Sequence, residues 1–170
     1  MANTDLMIDL ETLATSNDAA IVTMAAIRFD PHADYSKIKV EDLPPNQIMY
    51  RRIDLDSCTG IGCKVNEETI GWWATQPKEA QDEAFGDRIT IQDAMKELRK
   101  FSFGVKRPWS HGSCFDLMII DHIMKKLEIG VPWSYYDIRD TRTLFGFGIP
   151  AEMPQADKHH ALHDAYRQVI

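Results

Sequence analysis

The segment Asp5 to Glu11, DLMIDLE, sets two carboxylates inside what otherwise reads as an interior strand. Apolar residues leave both of its faces, the pattern of a central strand covered on two sides. Asp9 and Glu11 are two apart, so their side chains leave the same face and stand about 7 Å apart along it. Asp9 lies between Ile8 and Leu10, and no basic residue is near it in sequence. A buried carboxylate is costly unless positive charge reaches it, and a second on the same face sharpens the need. Either the strand frays into solvent by Glu11 and both acids are wet, or the fold brings a cation to them.

A central strand needs neighbours, and the next segments supply them. A polar turn at Ser16 to Asp18 leads to the run Ala20 to Phe29, rich in small and β-branched residues. The polar, Pro-bounded stretch Pro31 to Pro45 reads as a long hairpin connection, and Gln47 to Ile53 as a third strand. Three strands joined in this way predict an antiparallel meander. Beyond Asp56 the periodicity changes. Asn66 to Gln76 reads as a helix with Ile70 and Trp73 three apart and Pro77 as its stop. Thr90 to Phe103 is the clearest helix, with a Thr90 cap and Ile91, Met95 and Leu98 on one stripe. Pro108 to His111 reads as a short strand and Phe115 to Leu127 as a helix. Ser134 to Ile138 reads as a last strand, followed by a helical turn from Asp140 and a final helix from about His160. Strands first, then alternating helix and strand, indicate an α/β fold on a mixed sheet.

Two further acids fall where such a sheet gathers ligands. Ile119, Ile120 and Ile123 lie three, four and seven positions beyond Asp116, so Asp116 points along an apolar stripe. It is an N-cap or a group facing the core, at the end of a strand where open α/β sheets bind ligands. In the final helix Ala161, Leu162, Ala165, Tyr166 and Val169 form a stripe with Asp164 at its margin. His159 and His160 precede it, either as a solvated helix start or as groups reaching the acids. His160 is the closer on helical geometry, and His159 would reach from a loop.

The 170 residues suffice for one core and hardly for two, and no linker, repeat or low-complexity tract divides them, so residues 1–170 read as one domain. Nineteen Lys and Arg against 26 Asp and Glu give a net charge of −7. That excludes gripping nucleic acid by bulk positive charge, though not through bound cations. No apolar run approaches a membrane span, and the N-terminus MANTDLMIDLETL lacks a basic region and a cleavage site. A cytoplasmic protein without membrane partners is expected, and the lack of a C-cap before Ile170 suggests a slightly longer natural chain. Cys58, Cys63 and Cys114 fit no common zinc or redox spacing. Cys58 and Cys63 could pair across a short loop, but free thiols are expected in a reducing compartment.

Taken together, DLETL at 9 to 13, SHGSCFDLMII at 110 to 120 and HHALHDA at 159 to 165 resemble the three motifs of the DEDDh, or DnaQ-like, 3′–5′ exonucleases. TIGWWATQ at 69 to 76 and RDTRTL at 139 to 144 are similar to the branch that holds phage-type exodeoxyribonucleases and bacterial 3′–5′ exoribonucleases. His163 departs from the pattern, since many relatives carry a second acid there. The resemblance implies a ribonuclease H-like three-layer fold: a mixed five-stranded sheet with an antiparallel three-strand meander and helices on both faces.

It also implies a function. Asp9, Glu11, Asp116 and Asp164 would hold two Mg²⁺ (or Mn²⁺) ions, and His159 rather than His160 would be the general base in phosphodiester hydrolysis. Nucleoside 5′-monophosphates would leave from the 3′ end of DNA or RNA. Leu10 and Thr12 would contact the terminal nucleotide, and Trp72 or Trp73 would stack on a base, although adjacent aromatics on a helix cannot share a face. Arg139 and Arg142 would meet phosphates, or else pair with Asp137 and Asp140. Relatives in the exoribonuclease branch suggest a homodimer. A hydrolase of small phosphoesters such as nucleotides or dinucleotides, or a non-catalytic nucleic-acid-binding module, would share the fold. The latter would show as a missing ligand, and none is missing.

Overall fold

The computed structural model describes residues 3–148 and 160–169. Its centre is a five-stranded sheet in the order β3-β2-β1-β4-β5. Strands β1 (Asp5–Thr12), β2 (Ile21–Phe29) and β3 (Ile48–Arg52) form the antiparallel meander. β4 (Arg107–Ser110) and β5 (Arg139–Asp140) extend the other side in parallel. β1 is therefore central, as its two apolar faces require.

The alternation along β1 sends its residues into two cores. Leu6, Ile8 and Leu10 face α4 (Ile91–Phe101) and α5 (Asp116–Lys126), which bury Met95, Leu98, Ile119, Ile120 and Ile123 against them. Met7 faces the opposite way, with Ala25, Ile27 and Phe29 of β2, under α7 (Ala161–Val169). Each fully buried Leu, Ile or Met contributes about 2 kcal/mol by removal of apolar surface from water. Helices thus cover both faces. α2 (Glu67–Ala74) and α3 (Lys78–Ala84) close one end through Trp73 and Ala84, packed on Leu13 and Val22.

Local signals fix the helix ends. The Thr90 hydroxyl accepts from Asp93 N–H at 3.2 Å and opens α4, while Asn66 accepts from Glu68 and Thr69 N–H and opens α2. Two short helices were not expected from the sequence. α1 (Leu55–Gly60) ends on Gly62 at φ +96°, with Cys63 N–H reaching Cys58 C=O and Gly62 N–H reaching Thr59 C=O. This is a Schellman close, which needs a residue free to adopt positive φ. α3 begins just after Pro77, so the proline opens a helix as well as following one. The expected strand Ser134–Ile138 is corrected: Tyr135–Asp137 is a 3-10 turn, and strand pairing is confined to Arg139–Asp140. Only Trp109 and Ser110 of β4 reach that edge, which leaves Tyr135 and Tyr136 in solvent. Ile70 is also exposed, because only Trp73 faces inward. All three cysteines are free thiols, and no helix among the described residues is long and apolar enough to cross a membrane.

The parallel pairing of β1 with β4 is locked by Asp5. Its fully buried carboxylate accepts from Arg107 Nε (2.8 Å) and Nη2 (2.7 Å), Trp109 Nε1 (2.7 Å) and Thr4 Oγ1 (2.8 Å). Burial alone would raise its pKa, but these bonds outweigh it and hold the carboxyl below its ordinary value. Arg107→Ala leaves that carboxylate buried without its cation, and we expect a loss of about 3 kcal/mol at neutral pH in urea unfolding. The gap to the unmutated protein should narrow as pH falls and Asp5 takes up a proton. A gap constant down to acid pH would refute this account.

Candidate active site

Asp9 and Glu11 leave β1 on the same side as Met7, the side roofed by α7. A register irregularity between Glu11 and Thr12 interrupts the ladder with β2 just before its last pair, Thr12 with Ile21. α7 lies across β1 and β2 through Ala161, Ala165 and Tyr166, small residues under the sheet and one tyrosine whose hydroxyl donates to the Ile38 carbonyl at 2.5 Å. That packing turns Asp164 toward the strand. Carboxylate oxygens of Asp9, Glu11 and Asp164, all half-buried, lie within 4.8 Å of one another.

Asp116 arrives from the next strand. β4 ends at Ser110, and the loop 111–115 carries the chain into α5, where Asp116 is the first residue. The N-cap position of α5 falls to Phe115, and Asp116, 5% exposed, is the first helical residue and faces inward. It lies outside the tight trio but close enough for its charge to act on both Asp9 and Glu11.

The electrostatics show what this gathering costs. Burial pushes the Glu11 carboxyl up to about 8, with Asp164 and Asp116 adding repulsion. Asp9 is driven well above its ordinary value by burial, then by Asp116, Glu11 and Asp164, against one opposing hydrogen bond from Gln168. Burial also raises Asp116 to about 8; Arg142 pulls it down and Asp140 pushes it up. On α7, Arg167 Nε stands 3.6 Å from Asp164, too far for a hydrogen bond. Burial and mutual repulsion still hold Asp9, Glu11 and Asp116 above their ordinary values, despite Arg167 beside Asp164 and Arg142 beside Asp116. The donors of the four acids are all hard carboxylate oxygens, the set that suits Mg²⁺ or Mn²⁺. A divalent cation would relieve both the burial and the repulsion, so these residues fit such an ion.

Beside the acids runs a cleft of about 420 Å³, lined by Leu10, Glu11, Thr12, Glu68, Trp72 and Phe115 among others, and open to solvent. Leu10 and Thr12, for which contact with the terminal nucleotide is expected, both line this cleft. Trp73 does not: it is 3% exposed and its indole N–H donates to the Thr12 carbonyl at 3.1 Å. That bond ties α2 to the end of β1 and leaves no ring face for a base; the indole on the cleft is Trp72. Phe115 was also missed, although it directly precedes Asp116. The Arg142 guanidinium lies over Gly112, so that a methyl group there would meet its Nη1 at 3.0 Å. Arg139 donates to the Tyr136 and Ile138 carbonyls and makes no bond to Asp137 among those observed.

His159 lies outside the described residues. His160 stacks between Tyr50 (5.0 Å) and His163 (4.3 Å), with Nε2 3.3 Å from Glu83, which Arg52 also binds. Those contacts turn it toward β3 and α3.

The 3′-5′ exoribonuclease Rv2179c-like domain family matches residues 4–170. An exodeoxyribonuclease of Enterobacteria phage T4 is 24% identical, with the match spanning 82% of this chain and 69% of the phage protein. Among solved structures, the nuclease domain of 3′hExo, a DEDDh family member solved bound to rAMP, superposes with a TM-score of 0.60 at 11% identity. That superposition covers 99% of this chain and 88% of the other.

Because the folded, metal-free protein holds Glu11 protonated up to about pH 8 while the unfolded chain releases the proton near 4.5, the associated stability is complete below 4.5 and is lost as pH rises through 8. We expect the thermal midpoint in EDTA to fall from about pH 5 to about pH 8, Glu11→Gln to flatten the fall, and Mg²⁺ to raise the midpoint most at the upper end. Asp164→Asn should also raise the metal-free midpoint by relieving repulsion. An unchanged pH slope in Glu11→Gln would overturn the assignment.

Proposed function

The chain belongs to the Rv2179c-like family of 3′–5′ exoribonuclease domains and is a DEDDh-type 3′–5′ exonuclease, and on that premise we propose a two-metal hydrolysis of single-stranded nucleic acid, RNA before DNA, with His159 as general base. The observation that carries this reading is the convergence of Asp9, Glu11 and Asp164 beside an open cleft, with Asp116 close behind. The family's description and the rAMP-bound relative favour RNA, whereas the phage relative acts as an exodeoxyribonuclease.

Asp9, Glu11, Asp116 and Asp164 would hold two Mg²⁺ or Mn²⁺ ions. Bound there, such ions supply Lewis acidity toward the phosphate and lower the pKa of the attacking water. His159, five residues before Asp164, takes the proton from that water, a task for a side chain that titrates near neutrality. Phe115 offers apolar surface to the terminal base and Trp72 a ring for stacking, contacts indifferent to sequence, while Leu10, packed in the core, would meet the nucleotide only at its edge. Thr12 is held at the cleft wall by its hydroxyl bond to Ala14 C=O at 2.7 Å. Arg142 offers a charge-assisted contact to a phosphate. Cleavage releases nucleoside 5′-monophosphates from the 3′ end. A pocket for a mononucleotide alone would be closed, and this cleft opens to solvent, which favours a polymer over a small phosphoester. A cytoplasmic homodimer belongs to the same reading, and sedimentation reads out the assembly.

Digestion of 5′-labelled RNA and DNA single strands with Mg²⁺, Mn²⁺ or EDTA tests it. We expect a metal-dependent ladder of shortening products, faster on RNA, and none in EDTA. Asp9→Ala should abolish turnover together with tight metal binding. His159→Ala should slow the chemical step by about 100- to 10,000-fold and leave Mn²⁺ affinity near that of the unmutated protein. Equal loss of metal affinity in both variants would sink the base assignment, and cleavage of dinucleotides alone would move the substrate to small phosphoesters.

A further inference from the structure

Asp140 takes four hydrogen bonds on one carboxylate. It accepts from Gly112 N–H at 3.0 Å, Ser113 N–H at 3.0 Å, the Ser113 hydroxyl at 3.2 Å and Arg142 N–H at 2.9 Å. Three of these donors belong to the loop that delivers Asp116, and the fourth lies in the first turn of α6 (Thr141–Gly146), the helix that carries Arg142. β4 and β5 pair Ser110 with Asp140, which brings the two segments side by side as they leave the sheet. Thr141 adds a second tie, its hydroxyl 2.9 Å from His111 Nδ1.

Capping α6 would require only one of these bonds. An ionised carboxylate offers about four acceptor positions and no donor, which matches four converging donors. An asparagine of almost the same volume would supply a single acceptor oxygen and turn its NH₂ group against N–H groups. The site therefore demands a carboxylate, beyond any helix-capping preference. Gly112 makes the loop tighter still. It sits at φ +96°, its carbonyl accepts from Phe115 N–H at 2.9 Å, and the Arg142 guanidinium lies in the space a side chain would fill.

We propose that Asp140 is a positioning residue of the nuclease: it fixes the loop 111–115 so that Asp116 meets Asp9 and Glu11, and it aims Arg142 across Gly112 at the substrate phosphate. This rests on the reading of Asp116 as a metal ligand and Arg142 as a phosphate contact given under Proposed function. Asp140 touches neither substrate nor metal; it acts through the two residues it holds.

The test compares Asp140→Asn, Arg142→Ala, the double variant and Ser113→Ala with the unmutated protein. The readouts are kcat and KM on a single-stranded RNA, Mn²⁺ binding followed by electron paramagnetic resonance, and the thermal midpoint in EDTA. Asp140→Asn should lower kcat and weaken Mn²⁺ binding, each by about 10- to 100-fold, the usual effect of losing a group that orients a ligand. Arg142→Ala should raise KM, and adding Asp140→Asn to it should raise KM little further, because the aim is already lost. If Asp140→Asn does not fold, Ser113→Ala removes one bond of the four and should weaken kcat and Mn²⁺ binding about fivefold. Wild-type kcat and Mn²⁺ binding in Asp140→Asn, or in Ser113→Ala where that variant is the one that folds, would overturn the proposal. So would KM effects that multiply in full in the double variant. An unmutated protein that binds no Mn²⁺ would instead overturn the metal-site reading, and the role of Asp140 with it.

Discussion

The buried Asp5 carboxylate, held by Arg107, Trp109 and Thr4, sets β1 against β4 in one register. Parallel strands are joined by long crossovers, so nothing local determines how far one slides along the other. Here an ion pair at the beginning of both strands does so. Asp9 and Glu11 lie four and six residues beyond Asp5, and β4 hands the chain to Asp116 after a five-residue loop. A slip of one residue at Arg107 would turn a β1 face over relative to its neighbour and scatter the acids. The charged anchor at one end of the sheet is thus what gives the other end its geometry.

That far end works against stability. Glu11 and Asp116 hold protons up to about pH 8, and Asp9 well above its ordinary range, because burial and mutual repulsion disfavour their charges. The fold tolerates this because each acid sits on an element with strong apolar anchoring elsewhere. β1 is packed on both faces, α5 carries three isoleucines in the core, and α7 is pinned by Tyr166 and two alanines. Functional sites are commonly the places where a protein accepts such unfavourable electrostatics. The three layers of the fold hold four acids together against the burial and repulsion that disfavour their charges.

Much of this was legible in the residues. The alternation in DLMIDLE gave a central strand with two acids on one face, and the isoleucines after Asp116 gave its inward direction. Thr90 and Asn66 marked helix starts by capping chemistry that is local. What the sequence left hidden depends on partners far along the chain. Tyr135 to Ile138 has strand-like residues, but only two residues of β4 reach that edge, so pairing falls on Arg139 and Asp140 instead. The choice between Trp72 and Trp73 depends on the phase of a short helix, which was set by the Thr12 carbonyl 61 positions away. Asp140 looks like an ordinary cap in RDTRTL; its other three donors come from residues 27 and 28 positions earlier.

The order in which the acids occur along the chain has a consequence for biogenesis. Asp9 and Glu11 are among the first residues made and Asp116 follows midway, but Asp164 rides on α7, the last described helix, which docks back onto β1 and β2 at the centre of the sheet. A growing polypeptide therefore carries three of the four acids with no means of completing the cluster until α7 has emerged and folded home. The four acids stand together only once that last helix has docked on the sheet.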